Sequence, residues 1–198
     1  MVVNEIHNHD MIDSLHVVKL RKAIKTDSRY FMIMEYCNGG NLAELMDIKK
    51  FDVDPRVINL IMKQIVTGLN DMMNILMIHR DIKLQNIMID FPDKCDELLT
   101  MTKGERIKFL KEVDLLNTKF NIKIADFGYA KRLKSIEQIE TTLCGTYLYM
   151  APQVINDQKY NYKADIWSVG VILFELLTTA SPFYAKTKQE LEKKLNKG

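Results

Sequence analysis

His79-Arg80-Asp81-Ile82-Lys83-Leu84-Gln85-Asn86 and, forty residues beyond Asn86, Asp126-Phe127-Gly128 are the stretches on which the interpretation of this chain turns. They set a carboxylate, an ammonium group and two oxygen-bearing side chains of the kind that hold magnesium in the order a phosphoryl-transfer site requires. Such a reaction asks little covalent chemistry of a protein, so the work falls on positioning a hydroxyl and screening phosphate charge. Asp81, Lys83, Asn86 and Asp126 are residue types that do this work.

The surrounding composition is that of one globular unit. With 198 residues, 47% of them hydrophobic, the chain can bury a sizeable core, and no internal repeat or Pro/Gly/Ser-rich linker divides it. A net charge of +2 with interspersed signs leaves no strong field for nucleic acid, so that class of partner is not expected. Cys37, Cys95 and Cys144 are far apart and lack paired metal spacing, which predicts free thiols in a reducing compartment. No apolar run approaches the length of a bilayer span. The start, Met1-Val2-Val3-Asn4-Glu5, lacks a basic region followed by a hydrophobic one, and the expectation is a soluble, cytoplasmic protein. Twelve methionines sit among other apolar residues and imply a plastic core rather than a cofactor box.

Periodicity predicts a helix over residues 1–13, strands over 17–22 and 30–36, and a short helix from Asn41 to about Lys49. A longer helix should open at Pro55 and run to about Met73, burying Ile58, Ile61, Ile65 and Leu69 on one face. Ile87-Met88-Ile89 and Ile122-Lys123-Ile124 read as a strand pair flanking an insertion. Residues 165–177 are so apolar that a helix buried on all sides is expected, and Gln189 to Asn196 reads as a charged amphipathic helix stopping at Gly198. Within the insertion, from about Asp93 to Lys119, Arg106 to Asn117 could form an amphipathic helix with Phe109, Leu110, Val113 and Leu116 to one side. A tolerated surface excursion is the preferred reading of the insertion, a docking element the alternative.

The octamer at 79–86, Asp126-Phe127-Gly128, Gly145-Thr146-Tyr147-Leu148-Tyr149-Met150-Ala151-Pro152 and Asp165-Ile166-Trp167-Ser168-Val169-Gly170 follow one another in an order that resembles the eukaryotic serine/threonine protein kinases, and the resemblance covers nearly the whole chain. It implies an α+β, bilobal fold with an incomplete small lobe that starts at its helix, and a mostly helical large lobe cut short at its C-terminus. Residues 1–36 would be the small-lobe remnant with the start of the hinge, and 37–198 the large lobe with the insertion at about 93–119. The implied activity is ATP-dependent phosphorylation of protein serine and threonine hydroxyls. Asp81 would be the catalytic base, Lys83 would meet the transferring phosphate, and Asn86 and Asp126 would hold Mg. Lysine at position 83 and Gly145-Thr146 both point to the serine/threonine-specific branch.

Met34-Glu35-Tyr36-Cys37-Asn38-Gly39-Gly40-Asn41-Leu42 looks like the hinge of that family. Backbone groups of Glu35 and Cys37 would meet the adenine edge and Met34 would guard the rear of the pocket, with Asn41 counted among the nucleotide-binding residues. Glu5 has the spacing of the family's helix-borne glutamate, which normally pairs with a lysine on a preceding strand. Here the Gly-rich loop and that lysine do not appear, so a solvated helix charge is the alternative reading of Glu5. Phe127 would be an apolar plug that sets the position of Asp126, His79 its structural support, and Gly128 a hinge needing unusual dihedrals. Residues 131–142 resemble an activation loop, in which Thr142 would accept phosphate from an upstream kinase and Arg80 would capture it.

Three departures from the family pattern stand out: Gln153 where glutamate normally follows Ala-Pro, His9 at a helix position usually apolar, and short ends. Within the kinases the hinge wording, Thr142-Leu143-Cys144-Gly145-Thr146 and Tyr149-Met150-Ala151-Pro152 most resemble the autophagy-initiating, unc-51-like branch. Two functions compete: an active protein kinase, and a non-catalytic kinase-derived module that binds or regulates partners.

Overall fold

The computed structural model describes residues 2–156 and 158–195. Helix α1 (Val2–Asp10) leads into the hairpin β1 (Leu20–Lys25) and β2 (Tyr30–Met34), then β3 (Gly40–Asn41), α2 (Leu42–Ile48) and α3 (Pro55–Asn74). Strands β4 (Met77–Ile78) and β5 (Ile87–Asp90), helices α4 (Cys95–Thr100) and α5 (Lys103–Glu112), and strands β6 (Asn121–Ile124) and β7 (Lys131–Arg132) follow. The last helices are α6 (Pro152–Ile155), α7 (Lys163–Thr178) and α8 (Lys188–Leu195). The architecture is α+β, as expected.

Local chemistry starts the longest helix. The Asp54 carboxylate accepts the Arg56 backbone N–H at 2.7 Å, and Pro55 sits in the first turn, where its missing N–H costs nothing. The apolar stripe of α3, Ile58, Ile61, Ile65 and Leu69, is buried. Each such side chain contributes about 1.5–3 kcal/mol, so the stripe holds α3 in place. Against it lie β6 and α7. The antiparallel order β3-β5-β6, with Ile87 opposite Ile124, places the start of β5 and the end of β6 side by side. The segments containing Asn86 and Asp126 therefore converge.

Several expectations need correction. Helix α1 ends at Asp10, because Ile12 turns inward and is buried. The first strand starts at Leu20, not at 17: Val17 and Val18 are buried against β6, with the Val18 N–H on the Ile124 carbonyl at 2.9 Å, and only beyond them does the chain enter the hairpin. The second strand closes at Met34. The insertion is no surface excursion. It forms two helices, and Leu98, Leu110 and Leu115 join the main core. Its second helix stops at Glu112, since Val113 leaves helical geometry (ψ 128°).

Helix α7 is not buried on all sides: Ile166, Phe174 and Leu177 are exposed. An unbroken apolar run records affinity for other apolar groups without saying which sides meet them. The C-terminal helix is present to Leu195, and Asn196 and Gly198 lie outside the described residues. All three cysteines are free thiols. Among the described residues no helix is long and apolar enough to cross a membrane.

Candidate active site

The site is built around a strained peptide. Arg80, just after β4, has φ 69°, a left-handed conformation that costs a non-glycine residue about 1–2 kcal/mol. Asp165 near the start of α7 holds it there: its carboxylate accepts the N–H of His79 at 2.8 Å and of Arg80 at 2.9 Å. Gly145 closes on the same peptide with φ +103°, and a Cβ at that position would lie 2.3 Å from the Arg80 carbonyl oxygen. Two distant segments thus fix the direction in which Asp81 leaves the backbone.

Asp81 is buried. Its Oδ2 accepts from Lys83 Nζ at 2.7 Å and Asn86 Nδ2 at 3.0 Å, and its Oδ1 accepts from the Thr146 hydroxyl at 2.8 Å. Lys83 also donates to Thr146 Oγ1 at 2.9 Å, closing a ring of three side chains. Burial pushes the Asp81 carboxyl up, but the bonds from Lys83 and Thr146 and the lysine charge outweigh it and hold its pKa below the ordinary value. At neutral pH the group is a carboxylate. Asn86 commits its amide N–H groups to Asp81, to the carbonyl at 2.9 Å and to Oδ2, which leaves its amide oxygen for another partner.

Asp126 carries the unusual dihedral expected at Gly128: its φ is 69°, while Gly128 is not in the left-handed region. The Gly128 N–H donates to Asp126 Oδ1 at 3.3 Å. Phe127, fully buried, lies between two imidazoles, edge-on to His79 at 5.2 Å and stacked on His9 of α1 at 4.5 Å. Asn8 Nδ2 donates to the Ala130 carbonyl at 2.9 Å, a second tie from α1.

A cavity of about 400 Å³ opens beside this turn, lined by Glu5, Met34, Glu35, Cys37, Asn86 and Asp126 among others. Six of the sequence-chosen residues are thereby brought together, with Asp81 and Lys83 adjoining through Asn86. Asn41 is not among them. It caps α2, its side chain accepting the Glu44 N–H at 2.9 Å, because an asparagine at a helix start satisfies an otherwise orphaned donor.

A family model described as "Protein kinase domain" matches residues 1–198. The chain belongs to the protein kinase family. Its relatives include the serine/threonine-protein kinase ATG1a of Arabidopsis thaliana, 36% identical over 92% of this chain, and the serine/threonine-protein kinase unc-51 of Caenorhabditis elegans, 35% identical over 89%. The human serine/threonine-protein kinase ULK1 is 37% identical over 81%. The matches cover 25%, 18% and 13% of those proteins' own lengths, so the chain spans only a fraction of each. These names agree with the unc-51-like resemblance read from the hinge and from residues 142–152.

Within this kinase domain, Thr142 is exposed and its carbonyl accepts the Tyr160 hydroxyl at 2.7 Å. The Tyr160 phenol also interacts with the Arg80 side chain, whose Nε donates to the Tyr129 carbonyl at 2.7 Å. Arg80 and Thr142 therefore share Tyr160 as a neighbour. Sequence reasoning underrates four residues. Thr146 and Asp165 enter it only as parts of motifs, and their roles depend on contacts 63 and more positions away in sequence. His9 enters only as a departure from the family pattern. Lys123, a charge in the middle of an apolar strand, is the clearest signal of the four, since a buried charge requires a partner.

Proposed function

We propose that this domain transfers the terminal phosphate of ATP to serine or threonine hydroxyls of protein substrates. The Asp81–Lys83–Thr146–Asn86 cluster supports this most directly, because it offers an ionised carboxylate beside an ammonium group and is joined through Asn86 to the lining of a nucleotide-sized cavity. Asp81 orients the incoming hydroxyl and accepts its proton, and Lys83 meets the transferring phosphate as a point charge. The Glu35 N–H is committed to the Lys19 carbonyl at 2.9 Å, so Glu35 offers adenine its carbonyl and Cys37 its N–H.

The donor set suits magnesium. Among the described residues no group of three or more His, Cys, Asp or Glu could hold a metal, while magnesium is commonly bound by one or two carboxylates completed by substrate phosphates and water. Asp126 and the free amide oxygen of Asn86 would hold it, and when bound it screens the phosphate charge. Phe127, wedged between His9 and His79, keeps Asp126 in place. Phosphate placed on Thr142 by an upstream kinase would be met by Arg80. The small-lobe portion would be 1–36, the large lobe 37–198, the compartment cytoplasmic and the biological setting autophagy initiation.

The test is magnesium-dependent ATP binding followed by transfer to serine, threonine and tyrosine peptides. We expect a thermal shift abolished by Asp126→Ala and transfer to serine or threonine that falls by about 10²–10⁴-fold in Asp81→Asn, the usual worth of a positioned acid–base group. Transfer undiminished by Asp81→Asn, or a shift that survives Asp126→Ala, would overturn the assignment.

A further inference from the structure

Lys123 is almost fully buried, yet the reaction described above makes no use of it. It stands on β6, three residues before Asp126. Its ammonium group donates to the Leu15 carbonyl at 2.9 Å and pairs with Glu35 Oε1 at 2.6 Å, where the Glu35 side chain is itself 14% exposed. The other carboxylate oxygen of Glu35 accepts the Lys19 N–H at 3.1 Å. A buried ion pair carries a desolvation penalty that a pair of apolar residues would avoid, so it is weak support for the fold and calls for a positional explanation.

The position is informative. One end of the pair is on the strand that runs directly into Asp126, and the other is on the first residue of the segment assigned to the adenine edge. We infer that Lys123 is a positioning residue for the nucleotide, fixing the separation between the adenine-binding segment and the metal-holding carboxylate. The inference rests on the proposed ATP site. A ligand that touches both ends gains from having them held at one spacing, because contact at the first end raises the effective concentration of the second. A ligand that touches only one end gains nothing from that spacing.

This distinction supplies the test: affinities of the chain for magnesium-ATP and for adenosine, in wild type, Lys123→Met, Lys123→Arg, Glu35→Gln and the double variant Lys123→Met/Glu35→Gln. We expect Lys123→Met to weaken magnesium-ATP by about 5–150-fold, the usual size of a coupling between two sites, and to leave adenosine unchanged. Lys123→Arg should restore most of the loss, and the second substitution should add little to the first. Should Lys123→Met fail to fold, as circular dichroism would reveal, Lys123→Gln, which keeps an N–H donor for the Leu15 carbonyl and removes the charge, carries the same comparison. Equal weakening of both ligands, or of neither, overturns the inference. Failure of the wild type to bind either ligand overturns the ATP site itself, a result distinct from normal wild-type binding with indifferent variants.

Discussion

Replacing Asp165 by asparagine tests the claim that α7 holds the strained peptide before Asp81. The change preserves volume, so no cavity contributes. An asparagine amide presents one acceptor oxygen where the carboxylate presented two, and one of the N–H groups at 2.8 and 2.9 Å must lose its partner. A hydrogen bond to a charged group is worth about 1.5–3 kcal/mol. Burial pushes the Asp165 carboxyl up, so removing the charge recovers some desolvation. That recovery is set against a stranded donor, and His79, owner of one of the two, has no exposed surface. The lost bond should win. For a domain of this size each kcal/mol shifts the melting temperature by about 2–4 °C, which converts to a fall of about 3–12 °C. Asp165→Ala, which strands both donors, should cost about twice as much. Urea titration followed by far-ultraviolet circular dichroism gives the free energies. If both variants lie within about 0.5 kcal/mol of wild type, the range of an unremarkable surface substitution, then Asp165 does not restrain the Arg80 peptide.

Acid should loosen α1. Burial, the largest influence, lowers the His9 pKa, and the Val18 carbonyl with Glu5, Asp10 and Glu35 only partly oppose it. The unfolded chain, with a pKa near 6.5, then binds more protons than the folded one, so this contribution is present above about pH 6.5 and lost as pH falls below it. His9→Leu should reduce the slope of unfolding free energy against pH in that window, and an unchanged slope would exclude His9 as a source. His79, also lowered by burial, keeps its own share. Leu110→Ala should cost about 2–5 kcal/mol in the same titration, as for any core leucine, whereas a value near zero would return the insertion to the surface.

The legible parts of this domain are those in which chemistry and neighbourhood coincide. Asp81, Lys83 and Asn86 lie within six residues, and their mutual bonds follow from that closeness. The stripe on α3 is equally readable, since helical period and burial express the same fact. The insertion misleads because its three core leucines are spread over two short helices and a turn, and no single period links Leu98, Leu110 and Leu115. Strand β1 starts three residues later than its pattern suggests because Val17 and Val18 have the residue types of a strand but direct their burial at β6. Asn41 is ambiguous because an asparagine near glycines is equally suited to a pocket or a helix cap, and only the Glu44 N–H decides. The roles of Asp165, Thr146 and Lys123 require the folded chain, as each acts on a segment remote in sequence.

The left-handed backbone at Asp126 sets folding against use. Glycine would take that conformation at no steric cost and discard the carboxylate. A population of variants screened only for stability should therefore accumulate Asp126→Gly, while one screened for phosphate transfer should retain the aspartate and seek its stability elsewhere. The residue at this position would report which pressure a lineage had been under.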